Sequence, residues 1–348
     1  MYISYIKLLL CLYLFLTPQT YGFDCIDEDG FPVDYWVSIK KPQSLSYFYY
    51  DSNKKIFNLS PNSLNDTTTG ALAYTTKQLF HSDANYVIYN DQPPNINILN
   101  YSTTKFGHTK GYFAFQTDTN DSGFLLSHSI PLFPIGPTLT KKYLGLGANV
   151  WTYAQNLLCI SLSANVLDEL SKRFQLYRPN IYDAQLKMNS YQNIQKLIDG
   201  EYSKLKVCEK TIFITREKNL FTMYSKSAEW NNDLYSGCVS QNEEDTLYVE
   251  SWIRGSAEGP VCPITNYDTL DIKYLNFGIL GEWSETKDHS KWAITMNKHV
   301  ICMGDINRMT TQYTRGGGTI CFVDDILHQV LSSAITETDS CNLKDELL

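Results

Sequence analysis

The chain carries no excess of positive charge: 29 Lys and Arg stand against 37 Asp and Glu, a net charge of −8. That balance excludes a protein that grips nucleic acid through bulk basicity, so any phosphate contact must be local. There is no GxxxxGKS or GxxxxGKT phosphate loop, no HExxH helix, no GxSxG elbow, no paired CxxC and no EF-hand loop. The common nucleotide, zinc-protease, serine-hydrolase, zinc-ribbon and calcium readings therefore fall away. No apolar run is long enough for a bilayer; the stretch Leu8 to Leu16 is roughly half the ~20 residues a spanning helix needs. Disorder is excluded too, because 348 residues with 43% hydrophobic and 19% charged side chains suffice for one large or two ordinary packed domains.

What is present begins with a leader. Lys7, the apolar run to Leu16, and small residues Thr20 and Gly22 read as a secretory signal peptide over residues 1–22, in preference to a membrane anchor. No membrane attachment is expected once it is removed. Eight of the nine cysteines lie beyond it, at 25, 159, 208, 238, 262, 302, 321 and 341. Their even number and wide spacing suit disulfides better than a zinc site. Asn-x-Ser/Thr sequons at Asn58, Asn65, Asn100 and Asn120 add candidate glycosylation, with Asn58 weakened by Pro61 after its Ser60. Leader, cysteines and sequons together point to a secreted or lysosomal protein.

Strand-like runs occur at Tyr35–Ile39, Tyr112–Phe115, Thr211–Ile214 and Thr246–Val249, each rich in β-branched and aromatic residues. Helical spacing occurs over Val166–Leu176, Tyr191–Ile198 and Asp325–Ile335. This is a mixed α/β chain, with sheets flanked by amphipathic helices. A soft compositional break at 177–183 divides it into halves of 23–180 and 181–348.

The chemistry concentrates in two matching tripeptides, His108-Thr109-Lys110 and His289-Ser290-Lys291, each at the head of a strand-like run. On a strand, residues i and i+2 share a face, so each tripeptide would present an imidazole beside an ammonium. That pairing suits a phosphodiester: the ammonium holds non-bridging oxygens while the imidazole attacks phosphorus or protonates the leaving oxygen. Two satisfied surface histidines are the plain alternative. Around the tripeptides lie His128, Asn307, Arg308 and Arg315, the last heading a triple glycine that permits close approach to a ligand. These four are candidate supporting or substrate-binding residues, although His128 is equally a structural histidine.

Two His-x-Lys tripeptides, the second followed by Gly304-Asp305-Ile306-Asn307-Arg308, resemble the phospholipase D superfamily. The blocks Gly30-Phe31-Pro32-Val33-Asp34, Gly107 to Gly111, His128 to Pro131, Tyr153 to Cys159, Asp233 to Gly237, Asp288 to Trp292 and Arg315 to Thr319 resemble deoxyribonuclease II in order. The resemblance runs over nearly the whole chain beyond the leader. It implies a phospholipase D-like fold of two pseudo-twofold halves, each a mixed β-sheet flanked by helices, with one active site at their interface. It also implies an acid, metal-independent endonuclease that needs no cofactor and cuts DNA to 3′-phosphate and 5′-hydroxyl ends. In that mechanism His108 becomes a phosphohistidine, Lys110 and Lys291 neutralise phosphate, and His289 protonates the 5′ oxygen. The two imidazoles can also exchange roles. Implied disulfides are Cys25 with Cys159, Cys262 with Cys341, and Cys302 with Cys321, while Cys208 and Cys238 stay unassigned.

Departures from the family pattern are Leu132 where relatives have Asn, and Ala293 where they have Cys. Leu132 and the acidic charge keep open a non-catalytic paralogue that binds DNA or a host partner. A lipid or small-molecule phosphodiesterase is disfavoured, since Phe115 and Met296 stand where phospholipases carry Asp. The sequence sets no oligomeric state, and a homodimer is compatible with it.

Overall fold

The computed structural model describes residues 22–94, 105–116, 121–147, 150–264 and 266–341. The leader up to Tyr21 and the sequons at Asn100 and Asn120 lie outside these residues; Asn58 and Asn65 lie within them and are exposed. Among the described residues no helix is long and apolar enough to cross a membrane.

Two large sheets organise the chain. The first contains β1 (Tyr35–Lys40), β2 (Tyr47–Asp51), β3 (Asn58–Leu59), β4 (Asn85–Asn90), β5 (Lys110–Gln116), β6 (Ser122–His128), β7 (Gln155–Leu162) and β8 (Ile181–Gln185). Their spatial order is β8-β4-β5-β6-β7-β1-β2-β3. All neighbours are antiparallel, so this sheet is not the mixed one the resemblance implies. It takes its edge strand β8 from beyond residue 180, where composition divides the chain.

The second sheet contains β9 (Cys208–Ile214), β10 (Leu220–Lys226), β11 (Leu247–Glu250), β12 (Thr269–Asn276), β13 (Glu282–Ser284), β14 (Trp292–Thr295), β15 (Val300–Gly304), β16 (Gly317–Val323) and β17 (Ile335–Thr338). The order is β9-β10-β16-β15-β14-β11-β12-β13, with β17 also on β12. This sheet is mixed, through the parallel pairing of β11 with β12.

The central strands of the first sheet, β4 to β7, are apolar on both sides because that part of the sheet is covered on both faces. The edge strand β9 of the second sheet instead leaves Ile212 and Ile214 exposed. On β5, Phe113 and Phe115 join a core shared with Phe221, Met303, Ile320 and Phe322 of the second sheet. Tyr112 and Ala114 instead join a separate cluster with Trp36 and with Leu72 of α1 (Ala71–Lys77). Helix α2 (Ala164–Tyr177) contributes Leu167, Leu170 and Phe174 to the shared core. Ser163 caps α2 by accepting from Val166 N, which satisfies one of its free backbone donors.

Helices α3 (Gln192–Ile198) and α4 (Asp325–Ala334) also fall where helical spacing predicts them. Asp324 caps α4 by accepting from Ile326 N and Leu327 N, and it accepts the hydroxyls of Tyr35 and Tyr50 at 2.7 Å. One buried carboxylate thus ties the second sheet's helix to strands β1 and β2.

The three implied disulfides are all formed, and Cys208–Cys238 makes a fourth. Cys302 and Cys321 are direct register partners on β15 and β16, while Cys25–Cys159 anchors the N-terminal segment to β7.

Candidate active site

Each His-x-Lys tripeptide stands at the entrance of a strand, β5 or β14, and its histidine backbone N–H donates to chain of the other sheet, Gly316 at the first and Ala154 at the second. Gly107 N donates to Arg178 O and His108 N to Gly316 O, both at 2.9 Å. At this crossing a Cβ on Gly107 would overlap Tyr177 O and Gly316 O, and one on Gly316 would overlap Leu176 O and Tyr177 O. These glycines therefore serve contact between backbone segments, which corrects the expectation that the triple glycine approaches a ligand. In the second tripeptide His289 N donates to Ala154 O at 3.0 Å, and Ala154 N to Lys287 O at 2.9 Å. Lys291 N reaches Asn156 Oδ1 at 2.8 Å. Docking by the opposite sheet brings the two tripeptides close enough for Lys110 to act electrostatically on both Lys291 and His289, and for Lys291 to act on His108.

The ammonium groups lie deeper than the imidazoles: Lys110 and Lys291 are buried, whereas His108 and His289 are partly exposed. Lys110 Nζ donates to Asp91 Oδ1, and Arg315 Nη2 holds Asp91 Oδ2 at 2.9 Å and Gly107 O at 2.9 Å. Burial alone would raise the Asp91 carboxyl, but Lys110, His108 and Arg315 outweigh it and hold it below the usual carboxylate range. The His108 Nδ1 lies in hydrogen-bond contact with the backbone oxygen of Asp305. A carbonyl only accepts, so this contact fixes the proton on Nδ1 and leaves the Nε2 lone pair free.

The second tripeptide is held differently. Tyr153 stacks on the His289 ring with centroids 3.9 Å apart and planes 9° apart, and Trp252 lies 4.2 Å away. Lys291 Nζ donates to its own neighbour's carbonyl, His289 O. The adjacent carboxylate Asp288 accepts from Trp283 Nε1 and Ser290 N, each at 2.7 Å, which positions the tripeptide backbone. Burial, then the Lys110 charge, pushes Lys291 down to about 7. Burial, followed by Lys291, Lys110, Arg254 and Lys40, pulls His289 down to about 2. His108 is likewise driven well below its usual value by burial and then Lys110, against the opposing pull of Asp91. A concentration of positive charge in a protein of net −8 is a local anion site.

A model of the deoxyribonuclease II family matches residues 24–341. The chain belongs to the deoxyribonuclease II family. It is similar to Deoxyribonuclease-2 of Caenorhabditis elegans, 34% identical over 92% of this chain and 95% of the relative. It is also similar to a putative deoxyribonuclease-2 of Burkholderia thailandensis, 32% identical over 90% and 91%. Deoxyribonuclease-2-alpha of Bos taurus is 29% identical, over 85% of each chain.

The remaining candidates from sequence have separate fates within this deoxyribonuclease II fold. Arg308 is not a substrate contact: it is fully buried, with Nη1 on Asp271 Oδ1 at 2.5 Å and Nη2 on Gly259 O at 2.9 Å. Its guanidinium offsets the buried acids Asp271 and Asp233, a structural duty. Arg315 braces the first tripeptide through Asp91 and Gly107. His128 is fully buried at the end of β6, its Nδ1 accepting from Ile130 N at 3.1 Å and its ring beside Phe133; burial lowers it to about 3. Asn307 is buried, with its N donating to Gln312 Oε1 at 3.0 Å.

Leu132 has φ 58°, a left-handed conformation that Asn tolerates better than Leu. The backbone thus gives a physical reason for the Asn that the resemblance leads one to expect at this position. Sequence reasoning did not find Asp91, Asn156, Tyr153 or Trp252. Asn156 and Tyr153 lie inside a quoted family block, whereas Asp91 sits in a turn with no motif of its own.

Proposed function

We propose that the protein is an acid, metal-independent endodeoxyribonuclease that yields 3′-phosphate and 5′-hydroxyl ends through a phosphohistidine on His108. The observation that carries this reading is the meeting of two imidazole–ammonium pairs, of which only His108 has its Nδ1 held by a main-chain carbonyl. Membership of a family whose relatives are named deoxyribonucleases supports DNA as the substrate. We place the site between two phospholipase D-like halves, and the protein in the secretory or lysosomal compartment.

The reaction balances in two steps. His108 Nε2 attacks phosphorus, an N–P bond forms, the P–O5′ bond breaks, and the departing oxygen takes the proton of His289. Water then attacks phosphorus, giving its proton to the now neutral His289, and the N–P bond breaks to release the 3′-phosphate. Lys110 and Lys291 stabilise the charge on the non-bridging oxygens, a task done here by protein cations.

The depressed imidazoles and Lys291 tie the reaction to acid. His289 must be protonated and Lys291 charged, and both states gain as pH falls or as an anionic phosphodiester enters.

Plasmid DNA incubated with EDTA at about pH 5 and about pH 7.5 tests the reading, beside His108→Ala and His289→Ala. Acid-favoured cutting with 3′-phosphate ends, abolished in both variants, is expected. Inactivity of folded wild-type protein would instead favour a binding paralogue, and cutting that survives both substitutions would overturn the site.

A further inference from the structure

The catalytic imidazole His289 borders an aromatic surface that the two-step reaction does not use. Tyr153 stacks on His289, Trp252 lies 4.2 Å from it, and the Tyr153 and Trp252 centroids are 6.2 Å apart. That last distance is well short of the other two combined, so Trp252 packs beside the stack and does not cap its far face. Trp252 and Tyr153 are both partly exposed. The exposed Arg254 guanidinium lies over the Trp252 ring, 5.6 Å from its centroid, within cation–π range. Two residues before Tyr153, Trp151 leaves 54% of its surface exposed.

The loop that carries Trp151 and Tyr153 is fixed from below. Lys40 is fully buried and donates to Lys41 O at 2.7 Å, Ser44 O at 2.8 Å and Trp151 O at 3.2 Å. Gln43 N adds a bond to Thr152 O at 3.2 Å. A buried ammonium spent on three carbonyls makes a rigid mount for side chains that still face solvent.

We propose that Tyr153, Trp252 and Arg254 form a stacking seat for the nucleobase immediately 3′ of the scissile phosphate, the base carried by the departing 5′ oxygen. This rests on the nuclease reading above, with His289 as the acid. Every base has a π face, so such a seat holds the strand without demanding a sequence. Arg254 adds positive charge where the rest of the protein is acidic, which favours a polyanionic strand over a neutral aromatic ligand. The seat accepts an unpaired or extruded base, since a base inside a duplex has no free face to offer.

A 5′-labelled single-stranded oligonucleotide carrying one abasic residue reads the seat bond by bond. Wild-type protein should cut the bond on the 5′ side of the abasic residue about tenfold less than neighbouring bonds. Trp252→Leu should slow the bonds that precede an intact base to the rate of the abasic one and so erase that difference, and Arg254→Ala should reduce it, with folding of both checked by thermal melting. A ring that merely props His289 would slow all bonds while leaving the difference intact, and that result would overturn the proposal. So would even cutting across the abasic residue by wild type, or suppression on its 3′ side. No cutting at any bond by folded protein would bring down the nuclease reading and the seat together.

Discussion

The two His-x-Lys tripeptides share their imidazole and ammonium but have different surroundings. At the first, the ammonium of Lys110 is matched by Asp91, which Arg315 also holds, and the imidazole is oriented by a main-chain carbonyl. At the second, Asp288 is engaged by Trp283 and Ser290, the neighbouring Glu250 is driven toward its neutral form, and Lys291 bonds a carbonyl. The imidazole there is oriented by an aromatic stack. Identical imidazoles and ammonium groups thus meet different partners, an ion pair and a carbonyl contact at the first tripeptide and an aromatic stack beside neutral donors at the second.

The comparison breaks most visibly through the leaving group. His108→Ala should lose about 10⁴-fold or more in turnover on both DNA and a thymidine 3′-(4-nitrophenyl) phosphate, because no N–P bond can form. His289→Ala should lose about 10²–10⁴-fold on DNA but keep a rapid first burst of nitrophenolate from the nitrophenyl ester, whose leaving group needs no proton. Later turnover should slow, because water attack on the phosphohistidine has lost its base. If the two variants exchange behaviour, His289 is the nucleophile.

Stability separates the tripeptides next. Asp91→Asn leaves the buried Lys110 and Arg315 without their shared carboxylate and should cost about 3–5 kcal/mol in denaturant unfolding. Asp288→Asn keeps an acceptor for only one of its two neutral donors, Trp283 Nε1 or Ser290 N, and should cost about 1–2 kcal/mol. Equal costs would mean that the first tripeptide's ion pair is no stronger a constraint than the second's hydrogen bonds.

The sequence made some of this legible for physical reasons. Helices α2, α3 and α4 announced themselves through apolar spacing, and the tripeptides through a rare pairing at strand heads. Sheet composition was harder: Phe113 and Tyr112 face different cores, yet both are aromatic, so a doubly covered sheet hides its topology. Arg308 was misread because a cation four residues past Gly304 looks available in one dimension, while Asp271 and Asp233 reach it only through folding. Asp91 lies 19 residues from Lys110, with nothing in the intervening chain to mark the pair. The Asp305 contact to His108 uses a main-chain oxygen, which no residue identity can reveal.

The pH profile sharpens the contrast more gently. Lys291, pushed down to about 7 by burial and then Lys110, keeps its ammonium below that pH and loses it above. Arginine stays charged across this range, so Lys291→Arg should lower the maximal rate yet fall less steeply between pH 6 and pH 8. Lys110→Arg sits beside Asp91 and should leave the shape of the profile unchanged. Parallel profiles for wild type and Lys291→Arg would remove Lys291 titration from the acid dependence.

The smallest expected effect lies beneath the second tripeptide. Glu250 on β11 is the register partner of Trp292, is fully buried, and has neither carboxylate oxygen hydrogen-bonded. Burial, then Asp288, Glu285 and Asp271, raises it well above 4.5, with only Lys273 opposing. The folded state therefore binds a proton that the unfolded chain has released, and its contribution is complete below about pH 4 and lost as pH rises through the folded value. Depressed histidines such as His108, His128 and His289 act in the opposite direction, so the total slope does not isolate Glu250. The difference between wild type and Glu250→Gln does, because glutamine cannot ionise and fits the same space. Melting temperatures at pH 5 and pH 7.5 should show the variant gaining relative to wild type at the higher pH. A relative gain at pH 5 would mean that Glu250 is ionised in the fold.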